Sequence, residues 1–240
     1  MKLKYLTLIL FLFVPGGFAG IHSPEGSSKI SFKKMLSNME KRFARLVDYE
    51  MYSNSYSSKR NSKQSETYHL YYKNPGKVRM EILSGKDKGT IMLYDHNGDK
   101  SKVKVRAGGK VTRFMQKLFS MEELDVTDAK LHDLRGYGIE HADWGYLIKT
   151  HKKMLTNNIY SFENKGVVDF KGKKAYLFIV SSSDPEQSNS IKYSHFLINP
   201  RTFFPFQRTE YDKNGKMLKR NEFIKVKFNL DLDDKVFSEI

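Results

Sequence analysis

The side chains able to do chemistry in this chain are scattered rather than grouped. Cysteine is absent from all 240 residues. That removes thiolate nucleophiles and metal sites, iron–sulfur clusters, a disulfide framework and a lipid-modified N-terminal cysteine. The seven histidines are His22, His69, His96, His132, His141, His151 and His195. None is paired at i, i+4, and no H-E-x-x-H occurs. His132, Glu140, His141 and Asp143 form the densest set of ligand-type side chains. A loop running into a helix N-terminus attracts such residues without any metal. On one helix, His141 and His151 would stand about 15 Å apart, too far to share an ion. There is no G-x-S-x-G, and Gly85-Lys86-Asp87-Lys88-Gly89-Thr90 has the wrong spacing for a phosphate loop and falls in a hairpin. Glu122, Glu123 and Asp125 could act as paired carboxylates only if two were set across a cleft, and an acidic helix or turn explains them. The expectation is a protein that is not an enzyme, with no metal and no other cofactor.

Aromatic residues make up 13% of the chain, with 17 Phe and 14 Tyr, and a disordered chain lacks such groups to bury. The length allows one sizeable core. Gly at 16 and Pro at 6 exclude a collagen-like or Pro-rich architecture. The net charge of +15 makes an anionic partner a standing question.

The first residues read as an address. Lys2 and Lys4 precede the apolar run Tyr5 to Val14, and Gly17-Phe18-Ala19 supplies a small-x-small cleavage pattern. The run is too short to cross a bilayer, which needs about 20 helical residues. A cleaved signal peptide over 1–20, a flexible lead-in over 21–29 and a single domain over 30–240 are expected. Export without cysteine suits a bacterial periplasm, although secretion fits the same facts.

Phe32, Met35, Leu36, Met39, Phe43 and Leu46 recur at helical steps. Alternation and turn signals then take over. Strands are expected at about 47–57, 65–73, 77–83, 89–95, 100–107, 159–170, 175–183, 191–199, 205–212 and 216–229. Asn97-Gly98 and Asn214-Gly215 are pairs suited to type I′ hairpin turns, and Lys171-Gly172 and Asn74-Pro75-Gly76 mark two more reversals. Such short connections mean antiparallel pairing. Two helical stretches interrupt the strands, one carrying Phe114, Met115, Leu118 and Phe119, the other Trp144, Leu147, Ile148, His151, Met154 and Leu155.

Val78, Met80 and Ile82 point away from Lys77, Arg79 and Glu81, and Ile224, Val226 and Phe228 away from Lys225 and Lys227. The predicted architecture is mainly β: a large curved antiparallel sheet of about ten strands, lidded by the N-terminal helix and the mid-chain helical insert. Whether its greasy side is filled or hollow stays open. If hollow, the expected lining is Val78, Met80, Ile82, Leu93, Phe178, Phe196, Ile224 and Val226. The lid would be Met115, Leu118, Phe119, Trp144, Leu147 and Ile148. Lys100, Lys102, Lys104 and Arg106 occupy alternate positions of one strand, and Lys86, Lys88, Lys110, Arg113 and Lys117 flank them. This is either a solvated face or a stripe for an anionic surface. Its alternate residues Ser101, Val103 and Val105 lack the aromatics of a single-strand binder, so nucleic acid is not expected.

Four stretches, taken in order, resemble the LolA-like family of periplasmic lipoprotein carriers and their relatives. They are YYKNPGKVRMEI (71–82), GTIMLYDHNGDK (89–100), LINPRTFFPFQRTEYDKNGK (197–216) and FNLDLDDKVF (228–237). The resemblance implies an unclosed β-barrel lidded by helices, with an apolar cavity that shelters acyl chains. Asn74 stands where the carriers place an arginine that ties the lid shut. The expected function is an exported, monomeric carrier or binding protein for a lipid or acylated lipoprotein. The alternative is a ligandless envelope module showing its basic face to anionic lipid, polymer or a partner protein.

Overall fold

The computed structural model describes residues 30–108 and 122–239. The leader and lead-in lie outside these, as do Lys110, Arg113, Phe114, Met115, Lys117, Leu118 and Phe119 of the first helical insert.

Helix α1 (Phe32–Phe43) starts where the Ser31 hydroxyl accepts the Lys34 N–H at 3.1 Å. Its stripe of Phe32, Met35, Leu36 and Met39 is buried, and Lys41 and Arg42 sit at the negative end of its dipole. Helix α2 (Trp144–Met154) is built the same way. Asp143 caps it by accepting the Tyr146 N–H at 3.0 Å, and Trp144, Leu147, Ile148 and His151 turn inward.

The strands are β1 (Asp48–Lys59), β2 (Ser62–Lys73), β3 (Lys77–Ser84), β4 (Ile91–Asp95), β5 (Lys102–Arg106), β6 (Glu122–Asp125), β7 (Tyr160–Phe170), β8 (Lys173–Ser182), β9 (Tyr193–Ile198), β10 (Pro205–Tyr211) and β11 (Met217–Phe228). They form one sheet in the order β6-β5-β4-β3-β2-β1-β11-β10-β9-β8-β7, antiparallel at every pairing. The sheet curls without closing, and α1 and α2 pack over its concave side. This is the mainly β, half-barrel architecture expected from alternation, with one strand more than the ten anticipated. The extra strand is β6: Glu122, Glu123 and Asp125 belong to an edge strand and not to an acidic helix or turn.

The hairpins fall where the glycines place them, but not all with the expected turns. Lys171 and Gly172 both take positive φ, the requirement of a two-residue type I′ loop. At 212–216 only Gly215 does, because the Asp212 carboxylate accepts the Asn214 and Lys216 N–H groups at 2.9 Å and draws the chain into a wider turn. Asp95 and Asp99 do the same around Asn97-Gly98, each accepting the N–H two residues on, so β4 and β5 are joined by two successive turns.

The segment after β11 crosses the convex side. It is anchored by the fully buried Asp48, whose two oxygens accept the Leu230 and Leu232 N–H groups at 2.6 and 2.8 Å. Arg79 adds a bond to the Val236 carbonyl at 3.0 Å. Hydrogen bonds to a charged acceptor contribute about 1.5–3 kcal/mol, so Asp48→Asn is expected to cost about 2 kcal/mol. Urea unfolding measures it, and an unmoved midpoint would remove the anchor from the account.

Candidate functional site

The concave side divides into a filled part and a hollow part. Beneath α1 it is filled. Phe32 packs against Phe162, Phe178 and Phe196 with ring centres 4.7–6.2 Å apart, and His151 closes the cluster 4.8 Å from Phe196. Between α2 and the strands on the other side lies a cavity of about 500 Å³. That volume is within the usual range for small-molecule sites.

The expected lining residues separate accordingly. Met80 and Ile82 line the cavity, as do Trp144 and Leu147 of the lid. Val78 and Ile148 are buried in the adjoining core, while Phe178 and Phe196 belong to the filled part under α1. Leu93 is buried on the convex face, opposite Arg79 and Lys104. Ile224 also faces away from the cavity. The ladder slips between Glu50 and Tyr52 where Lys225 takes positive φ, and this bulge reverses the inward parity of β11. Phe223 therefore turns inward, Ile224 pairs with the convex-side Tyr52, and Val226 packs against the core beyond the bulge.

The pairing register sorts the inner face into rows. Val78, Tyr72, Tyr49 and Phe228 align in one, and Met92, Met80 and Leu70 in the next. Then come Ile82, Tyr68, Ser53 and Phe223. Beyond these, polarity takes over. Glu66, Ser55, Asn221 and Arg208 stand directly opposite one another on neighbouring strands, followed by Gln64, Ser57, Lys219 and Glu210. The cavity thus has a greasy end beside Trp144 and a charged end toward the β1–β2 hairpin. The wholly apolar cavity implied by the family resemblance is corrected in this respect.

Most charges at the polar end are paired. Lys219 Nζ is 2.7 Å from Asp133 Oδ2 and 3.7 Å from the centre of the Tyr137 ring. Burial holds the Lys219 ammonium below its ordinary range, against the pull of Asp133. Arg208 pairs with Glu210 at 2.6 Å and lies 5.5 Å from the Phe196 ring centre. Burial, with Glu210 adding to it, pushes the Tyr137 hydroxyl up to about 12. Glu140 sits 3.3 Å from His132 Nε2 and 3.1 Å from His141 Nδ1 at the cavity wall, and burial pulls His141 down. Among the described residues no group of three such ligands could hold a metal ion.

The lid is tied by a pair that spacing could not suggest. His96 Nε2, on the β4–β5 connection, is 2.9 Å from Asp143 Oδ2 at the head of α2. This contact joins the lid to the sheet.

The basic stripe is less one-sided than expected. Lys102, Lys104 and Arg106 share the convex face of β5, and Lys100 lies in the preceding turn. However, β6 sets Asp125 opposite Lys102 and Glu123 opposite Lys104. Reading 122–125 as an acidic helix or turn hid these acids.

No family model matches the sequence, and no curated protein matches it. Among solved structures, an uncharacterized conserved protein from Thermus thermophilus is similar with a TM-score of 0.53 at 11% identity, over 87% of this chain and 93% of that one. MucB gives 0.49 at 11% identity, over 85% of this chain and 60% of its own. A LolA superfamily protein from Nitrosomonas europaea gives 0.39 at 10% identity, over 87% and 97%. The Thermus likeness shows a shared fold, and the two lower scores add no argument. The open sheet with its helical cover is the fold this chain shares with that Thermus protein.

Proposed function

We propose that this chain is an exported, non-catalytic binding protein or carrier for a hydrophobic ligand, a lipid or acylated lipoprotein, working in a bacterial periplasm. The observation that carries the reading is the cavity of about 500 Å³ between α2 and the concave sheet, walled at one end by Met80, Ile82, Met92, Trp144 and Leu147. Each methylene moved there from water contributes about 0.8 kcal/mol, so a sixteen-carbon chain gains on the order of 12 kcal/mol before entropy losses. That is enough for a lumen to compete with a membrane without covalent chemistry. The leader-like residues 1–20 support the location.

Native mass spectrometry of the protein purified from its own periplasm tests the proposal. A bound lipid or lipopeptide mass is the expected result, and a clean apo mass would sink it in favour of the ligandless module. A second expectation concerns space. Ile82→Trp fills room for about two methylenes and should weaken acyl-chain binding about tenfold while the protein stays folded. Undiminished ligand occupancy in that variant would move the ligand elsewhere.

A further inference from the structure

Among the described residues, one buried charged group at the polar end of the cavity has no ion pair. Lys219 is matched by Asp133 and Arg208 by Glu210. Glu66 lines the same cavity and is only 5% exposed. Its Oε2 accepts the Tyr68 hydroxyl, and among the described residues its Oε1 has no hydrogen-bond partner. Among the described residues no ion pair reaches it. A buried carboxylate left in this state is costly unless a cation or strong donor is supplied from outside.

The side chain is also held in place. Gly85, at φ +97°, presses on it so closely that a Cβ there would lie 2.6 Å from Glu66 Cγ. The side chain lines the cavity from the inner face, opposite Ser55 and one row from Ile82. Lys86, next along that turn, stands at the rim of the same cavity. An acceptor for an ammonium group and a cation for a phosphate are thus set close together at the end of a greasy pocket.

We infer that the cavity selects amphiphiles whose head group carries a free ammonium beside a phosphate, the chemistry of an ethanolamine phospholipid, with the ammonium on Glu66 and the phosphate toward Lys86. This rests on the proposed function, because it needs an acyl chain in the apolar end. It runs against the general electrostatics of the chain, whose +15 charge favours an anionic lipid everywhere else.

Palmitoyl lysophosphatidylethanolamine and palmitoyl lysophosphatidylglycerol share chain and phosphate and differ in the ammonium. Trp144 is the only tryptophan and lines the cavity, so its fluorescence reports binding of either. The wild-type protein should bind the ethanolamine lipid about tenfold tighter, the worth of one charge-assisted hydrogen bond. In Glu66→Gln that preference should vanish while glycerol-lipid binding persists or tightens. Equal binding by the wild type, or a preference that survives Glu66→Gln, overturns the head-group inference and leaves the carrier reading standing. If neither lipid binds the wild type, both fall.

Discussion

Trp144→Ala is expected to lose about 3–5 kcal/mol of stability, the usual cost of truncating a large buried aromatic. Trp144 is 1% exposed and begins α2. Its ring is stacked between Tyr49 and Phe204, with centres 4.4 and 3.9 Å away and planes within 20°. Its own N–H on the backbone donates to the Tyr49 hydroxyl at 3.4 Å. One side chain therefore joins the lid to β1 and to the turn before β10, and alanine would leave a void contiguous with the cavity. Trp144→Phe keeps one stacked ring and should lose markedly less. Urea unfolding followed by circular dichroism measures both. A loss below about 1 kcal/mol for the alanine variant would mean that the lid is not held by this stack.

The second large effect is acid sensitivity centred on His151. The imidazole is completely buried, with Nδ1–H donating to the Leu147 carbonyl at 2.7 Å and Nε2 without a partner among the described residues. Burial, reinforced by the Arg208 charge, pushes its pKa down to about 3, from the 6.5 of an unfolded chain. Above pH 6.5 the ring is neutral in both states and stability is unaffected. As pH falls below 6.5 the unfolded chain takes a proton that the folded one refuses. Stability is then lost progressively until about pH 3, on the order of 4 kcal/mol in all. Burial also depresses His69, His141 and His195, which slope the same way, so the comparison of interest is between wild type and His151→Leu. The variant should lose less stability between pH 7 and pH 4.5. Parallel pH profiles for the two proteins would show that His151 accepts its proton in the folded state.

Why the polar end escaped a reading of the chain is visible in its partners. Alternation shows that two sets of side chains lie on opposite faces of a strand, and solvation sends the charged set outward unless something pays for its burial. For Lys219 that something is Asp133, 86 positions earlier, and for Arg208 it is Glu210 with Phe196 beneath. No local pattern announces the first, and the two-residue spacing of Arg208 and Glu210 does not say which face of the sheet the pair occupies. Leu93 was assigned to the lining wrongly for another reason: Ile91, Met92, Leu93 and Tyr94 are all buried, so parity carries no information there. Ile224 was misplaced by a bulge, which shifts the parity of every residue beyond it. Strand β6 was missed because four residues rich in acid have no alternation, and only their pairing with β5 makes them a strand.

The stripes Phe32–Met39 and Trp144–His151, the alternation of ten strands and the glycines between them determined that this chain would be a sheet with helices laid over it. These signals act over a few residues, and hydrophobic burial needs nothing more to choose helix, strand or turn. Where the sheet stays hollow was decided by the tertiary structure, through bulges, register and the seating of α2. So was the placement of a lone carboxylate inside the hollow, because both depend on side chains brought together from distant parts of the chain, whose packing and charge compensation exist only once it has closed on itself.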